Sequence, residues 1–368
     1  MPKPPTIGLA LGSGSARGIS HIGVIRGLQE AKINIDVVCG SSIGSLVGGA
    51  FAAGKLDIME EILRKLSWSE FLQFMELPLP RSGLIEGDKV AAYMRERLGD
   101  MNIEDLLIPY GAVATDLTSG QEVWLQKGSL IDAVRASISM PGMFTPAKRE
   151  SMLLADGGLV NPVPVSLCRA LGAKIVIGVN PNTDVRVRYE EKIDSDRDAK
   201  AQTAAPEEVE DEKSGLKMRD LFFAGLTLYV TNRIRSKKDA LLSHFSGKET
   251  EVVESSGMRD QLTSYMSEYI NSTMKQGKSL ALGRLMKEGV MTEPSFFEVI
   301  LASINLMADR IYKQRLAGDP PDIMILPHAS QVGPLEFHRA DEIIDAGRRA
   351  VQMMLPMLKD LIGYVISV

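Results

Sequence analysis

The sequence predicts a three-layer α/β/α protein on a mostly parallel central sheet, with a helical region inserted late in the chain. Three observations carry this reading. The first half alternates short apolar runs with helix-period segments, the order expected of βαβ units. Tyr110–Ala114 and Lys174–Val179 are short apolar runs suited to strands buried on both faces. A charged, apolar-poor stretch then interrupts this style, and the α/β pattern resumes near Pro294.

In chain order, Thr6–Leu11 reads as the first strand and Ala16–Ala31 as the helix after it. Ile35–Cys39 is the second strand, and Ile43–Ala53 is a helix of small residues. Further strands are expected at Tyr110–Ala114, Glu122–Leu125, Leu153–Ala155 and Lys174–Val179. Glu190 to Ser214 holds Asp, Glu, Lys, Ala and one Pro with almost no large apolar side chain, as in a solvated linker. Leu216 to Lys287 reads as helical. A helix at Ser295–Ala317, a turn at Asp319-Pro320-Pro321, a late strand at Ile323–Pro327 and a helix from Ala340 complete the chain. The expected organisation is therefore 1–189 as the first part of the α/β domain, 190–214 as linker, 215–292 as inserted helical region, and 293–368 as the part that completes the α/β domain.

Composition excludes several classes. With 368 residues, 45% hydrophobic and 24% charged, the chain has ample material for a core. Its net charge of −5 gives no positive field for phosphate backbones, so no nucleic-acid partner is expected. The two cysteines, Cys39 and Cys168, form no CxxC pattern, so neither a metal site nor a disulfide framework is expected, and a reducing, cytoplasmic setting fits best. Gly12, Gly14 and Arg17 interrupt the early apolar run too soon for a signal peptide. The longest charge-free apolar stretch outside the glycine-rich motifs, near Leu221 to Val230, falls short of the ~20 residues a spanning helix needs, so membrane contact would be peripheral, at the inner surface.

Gly40-Ser41-Ser42-Ile43-Gly44 satisfies G-x-S-x-G between a strand and a small-residue helix, the context of a nucleophile elbow. The sharp turn crowds the flanking positions, which favours Gly40 and Gly44, and leaves Ser42 at the helix N-terminus, where backbone N–H groups favour negative charge. Gly12-Ser13-Gly14-Ser15-Ala16-Arg17-Gly18 follows the first strand and can converge its amides into an anion receptor. Beside an activated serine it would be an oxyanion hole, each well-placed donor contributing roughly 3 kcal/mol. Gly-x-Gly after a strand is also the dinucleotide signature, but the next strand ends in a serine elbow where a ribose-binding carboxylate would be wanted.

The residues alone leave the base open. Asp156-Gly157-Gly158 displays a carboxylate at a strand end, although such turns are more often structural. His328 and His338 come late enough to complete a Ser, Asp, His order, while His21 sits in the helix after the glycine-rich loop and His244 in the inserted region.

These three motifs, in this order, resemble the patatin-like phospholipase family, and most closely its bacterial intracellular group. Ala114-Thr115-Asp116-Leu117-Thr118-Ser119-Gly120, Ala136-Ser137-Ile138-Ser139-Met140-Pro141-Gly142 and Asn161-Pro162-Val163-Pro164 extend the match. The resemblance covers residues 5–185 and, more loosely, 295–350. It implies a Ser42–Asp156 dyad without histidine, an oxyanion hole from the glycine-rich loop, and hydrolysis of lipid acyl esters with neither metal nor organic cofactor. A free Asp, with a pKa near 4, is a weak base toward a hydroxyl, so burial and the oxyanion donors would have to compensate. The family's glycine triplet reads Ser13-Gly14-Ser15 here, and 186–292 has no counterpart in the pattern. Arg17 matches the loop's basic residue and could orient the loop or a phosphate, or form a surface ion pair. Within the insertion, Met218, Phe222, Leu226 and Tyr229 share one helical stripe, with Arg233, Arg235, Lys237 and Lys238 at one end. Such a stripe packs on its own domain or on a second copy of the chain, or docks as a lid on lipid.

Overall fold

The computed structural model of the chain describes residues 6–66, 83–85, 87–182, 296–329 and 331–367. The chain forms two compact units, Met1–Val209 with Leu301–Val368, and Glu210–Ile300. All the elements of the candidate site belong to the first. The expected linker at 190–214 and helical region at 216–287, with its apolar stripe and His244, lie outside the described residues.

The chain begins with strand β1 (Ile7–Leu11), a 3-10 turn (Ser15–Ile19) and helix α1 (Ser20–Glu30), followed by β2 (Val37–Ser41), α2 (Ile43–Ala52) and α3 (Leu56–Lys65). Next come β3 (Gly83–Ile85), α4 (Gly87–Leu98), β4 (Tyr110–Asp116), β5 (Glu122–Leu125) and α5 (Leu130–Ser137). β6 (Gly142–Phe144), β7 (Ala147–Arg149), β8 (Met152–Asp156), α6 (Val165–Ala170) and β9 (Ile175–Val179) follow. After the insertion stand α7 (Phe296–Gly318), β10 (Ile323–Ile325) and α8 (Ala340–Ser367).

The central sheet has eight strands, ordered β10-β9-β1-β2-β4-β8-β7, with β5 also paired to β4. From β10 through β4 every pairing is parallel; β5, β8 and β7 add antiparallel pairings. Side-chain alternation sends Leu9, Leu11, Val38, Ala112 and Ile177 into one core layer and Ala10, Val37, Cys39, Val113 and Val176 into the other. A sheet buried on both faces is what makes these strands read as unbroken apolar runs. On the first face α1 and α8 pack backbone to backbone: a Cβ at Gly23 would fall on the Ile344 carbonyl, and one at Gly347 on the Ser20 carbonyl.

Several expected boundaries move. The helix expected at Ala16–Ala31 divides into a 3-10 turn and α1, because the glycine-rich loop winds tightly before the regular helix begins. The second strand begins at Val37 rather than Ile35, since Asp36 is spent on its neighbour: its Oδ2 accepts from Ile7 N at 2.7 Å. It continues through Gly40 to Ser41, so Ser42 follows the strand directly. The late strand stops at Ile325, short of Pro327, which has no N–H to give.

Candidate active site

A single edge of β4 sets the site. β2 runs parallel to β4 and pairs with it as far as Ser41 opposite Val113. β8 runs antiparallel and begins pairing at Asp156 opposite Ala114. Since β5 pairs with Ala112 through Thr115, it takes the other edge of β4, and β2 and β8 must meet head to head on the same one. Their meeting ends are Ser41-Ser42 and Asp156.

The side chains complete what the register begins. Ser42 Oγ donates to Asp156 Oδ2 at 2.6 Å. Asp156 Oδ1 accepts from Gly158 N at 2.7 Å, so the turn after the strand fixes the second carboxylate oxygen. The carboxylate is 5% exposed, and burial raises it to about 6, with the Ser42 hydroxyl and the Gly158 N–H pulling the other way.

Ser42 itself has φ 56 and ψ −127, a region that side chains other than glycine rarely occupy. The sharp turn from β2 into α2 imposes it. A Cβ at Gly40 would fall on the Gly44 peptide and one at Gly44 on the Leu11 carbonyl, so both flanking positions must lack a side chain. Gly157 is held by the same crowding, since its Cβ would fall on the Val113 carbonyl.

A third segment grips both partners. Ser137 Oγ, at the end of α5, accepts from Ser42 N at 3.0 Å, and the Ser139 carbonyl accepts from Asp156 N at 2.9 Å. Buried Arg135 donates to Ser139 Oγ at 2.6 Å and to the Thr145 carbonyl at 2.8 Å. From β4, Thr115 Oγ1 donates to the Asp156 carbonyl at 2.7 Å. The sequence displays Thr115, Ser137 and Ser139 within its extended motifs, yet nothing in their spacing marks them as supports.

The glycine-rich loop lies across this pair. A Cβ at Gly18 would fall on Ile43, next to the serine, and one at Gly158 would come 3.0 Å from Ser13, next to the carboxylate. Gly12 N donates to Val179 O at 2.9 Å, Ser13 N to Pro162 O at 2.8 Å, and Ala16 N to Pro334 O at 3.0 Å. Between them, the N–H groups of Gly14 and Ser15 donate to no acceptor among the described residues. Gly14 has φ 169 and ψ 10, and Ser15 is left-handed at φ 50. Arg17 is only 3% exposed, so of its two expected roles the one at the surface does not fit; the 3-10 turn draws it inward.

The histidines stand apart from the pair. His328 and His338 are exposed, and neither bonds Ser42 or Asp156. His21 is fully buried, with its Nε2 donating to the Gly12 carbonyl. Among the described residues no group of three or more His, Cys, Asp or Glu is placed to hold a metal ion, and no helix is long and apolar enough to cross a membrane.

A strained serine on a strand-to-helix turn, bonded to a buried carboxylate on the same sheet edge, defines a class of α/β protein built around a Ser–Asp pair. The family model for patatin-like phospholipase matches residues 9–169, which include every residue of this pair and its loop. An uncharacterized NTE family protein of Mycobacterium tuberculosis is 33% identical over 345 residues, 94% of this chain and 89% of that one. The chain belongs to the NTE family and carries its patatin-like phospholipase domain. The neuropathy target esterase sws of Drosophila melanogaster is 36% identical over 182 residues, 48% of this chain and 13% of that protein. Patatin-like phospholipase domain-containing protein 6 of Mus musculus is 35% identical over the same length, with the same shares.

Proposed function

We propose that this chain is a serine acyl-ester hydrolase acting on phospholipids or lysophospholipids, with Ser42 as nucleophile and Asp156 as general base. The observation that carries it is the 2.6 Å hydrogen bond from the Ser42 hydroxyl to a buried carboxylate raised to about 6. The names of its relatives, an esterase and phospholipases, support the ester substrate.

In this reading Asp156 takes the proton as Ser42 Oγ attacks the ester carbonyl. The oxyanion forms against the unclaimed amides of Gly14 and Ser15. Collapse breaks the bond to the alcohol, which leaves with the proton from Asp156. Water then attacks the acyl-serine, giving its proton to Asp156, and the fatty acid leaves as Ser42 recovers its hydrogen. The peptides flanking the serine are fixed by Gly40, Gly44 and Ser137, so little rearrangement accompanies charge development. A lid or lipid-docking role for 215–292, peripheral membrane contact and pairing with a second copy of the chain extend this reading.

Hydrolysis of a lysophospholipid and of p-nitrophenyl butyrate by the purified chain tests it, alongside Ser42→Ala. Turnover lost in the variant, with a fluorophosphonate adduct on the Ser42 peptide of the wild type, supports the hydrolase. A folded wild type that turns over neither substrate and takes no adduct would mark a binding protein on the same fold.

A further inference from the structure

The loop over the Ser–Asp pair makes no hydrogen bond that would set its two central amides directly. What fixes them must act through the neighbouring peptides. The Gly12 and Ser13 carbonyls, which lead into Gly14, are each held by one buried side chain. The Gly12 carbonyl accepts from His21 Nε2 at 2.7 Å, from the first turn of α1. The Ser13 carbonyl accepts from Asn182 Nδ2 at 3.0 Å, from the segment after β9. His21 has no solvent contact and Asn182 is 9% exposed.

Both holders are themselves fixed. Asn182 N donates to Asn180 Oδ1 at 2.9 Å, and Pro181 packs so close to Gly14 that a Cβ there would come 2.5 Å from its Cγ. His21 lies in the α1 turn against α8, and burial lowers it to about 4, so it remains a neutral imidazole in the working pH range. A carbonyl can only accept, so the bonded Nε2 carries the hydrogen.

A peptide unit is planar, so fixing the carbonyl of one residue fixes the N–H of the next. Holding Gly12 O sets the Ser13 amide plane, and holding Ser13 O sets the plane that carries Gly14 N. Ser15 N lies one peptide further on, across Gly14, whose room to turn is limited by Pro181. The Asn182 bond therefore sets the direction of Gly14 N, and the His21 bond anchors the peptide plane from which that one departs.

We infer that His21 and Asn182 are positioning residues, which aim the Gly14 and Ser15 amides at the developing oxyanion by holding the Gly12 and Ser13 carbonyls. The inference rests on the Ser42–Asp156 reading and adds the device that prepares its oxyanion site. His21 takes part without moving a proton, a role distinct from that of a triad histidine.

The test compares His21→Ala, His21→Gln, Asn182→Ala and Asn182→Asp with the wild type. The readouts are kcat and KM for p-nitrophenyl butyrate, inhibition by an alkyl trifluoromethyl ketone, and active sites titrated with a fluorophosphonate. Asn182→Asp is nearly isosteric but turns an acceptor toward the Ser13 carbonyl, while His21→Gln can retain a donor near the Nε2 position. The expected result for Asn182→Asp and His21→Ala is a fall in kcat per titrated site of about 10- to 100-fold, KM changing less than about twofold. Inhibition by the ketone, whose adduct places an oxyanion in the same cradle, weakens by a similar factor, and His21→Gln recovers most of the loss. A kcat per titrated site and a ketone affinity both unchanged in Asn182→Asp would overturn the inference even if the alanine variants fold poorly, and so would a His21→Gln variant impaired as much as His21→Ala. Were Ser42→Ala and Asp156→Asn to retain turnover, the hydrolase reading itself would fail, a separate result.

Discussion

Ser41 and Asp156 stand opposite consecutive residues, Val113 and Ala114, on one edge of β4. A parallel strand and an antiparallel one therefore meet end to end, and backbone pairing brings the serine turn and the carboxylate together before any side chain is considered. The hydrogen bond between Ser42 and Asp156 follows from that register.

The meeting point leaves no room for a methyl group. A Cβ at Gly157 would fall on the Val113 carbonyl and come 2.9 Å from Ser41 Oγ. Gly157→Ala must push the turn away from β4 and carry Asp156 with it. Its expected cost is about 1–3 kcal/mol or more, together with loss of turnover. Urea unfolding and esterase assays check both; an alanine variant of wild-type stability and rate would contradict the packing.

Strain at the serine predicts a stability gain on its removal. At φ 56 and ψ −127 Ser42 pays for its Cβ, and alanine keeps that cost while glycine does not. Ser42→Gly should therefore exceed Ser42→Ala in stability by about 1 kcal/mol or more, both being inactive. Thermal unfolding decides this, and equal midpoints would remove the strain.

Asp156 links stability to pH with a definite sign. Its carboxyl is raised to about 6, chiefly by burial, above the ordinary carboxylate value of about 3.9. Between those values the folded protein binds more protons than the unfolded chain, so stability is highest below the lower value and falls as pH rises through about 6. A shift of about two units corresponds to about 3 kcal/mol. Asp156→Asn still accepts from Gly158 N and can donate to Ser42 Oγ, without the buried charge. The variant should outlast the wild type at about pH 8 by up to that amount, the difference shrinking toward about pH 4. Activity runs the other way, with the acid limb of kcat/KM near 6 as the base deprotonates. Urea unfolding at the two pH values checks the first part; parallel curves for the two proteins would contradict it.

Ser137 supports the serine from behind. Its Oγ is the acceptor for Ser42 N at 3.0 Å, and Ser137→Ala leaves that buried N–H without it. The expected cost is about 1–3 kcal/mol of stability, with a lower kcat. Calorimetry and steady-state rates measure both, and a neutral variant would show that the turn is held without this bond.

Much of this was legible in the residues. Short apolar runs at β4 and β9 announced buried strands, and Gly40 and Gly44 announced the sharp turn around Ser42. The sequence does not announce the short strands β6 and β7 or the helices α3, α4 and α5; strands of three residues show too little periodicity to be read. The pairing of Asp156 with Ser42 came from family resemblance, because strand order across a sheet is not written in local sequence. The sequence left Arg17 between orienting the loop and a surface ion pair, and its burial in the 3-10 turn, a matter of local winding, is not visible in spacing. Ser137, Asn182 and His21 act through backbone atoms of distant residues, a relation that spacing does not encode.

The central claim is that the Asp156 carboxylate takes the proton of Ser42, and its most direct test is the hydrolysis rate of Asp156→Asn at about pH 8, where the wild-type base is ionised. Loss on the order of 10⁴-fold, in a protein that remains folded, is the expected result. An asparagine variant hydrolysing esters within a few-fold of the wild-type rate would place the base elsewhere and contradict the account.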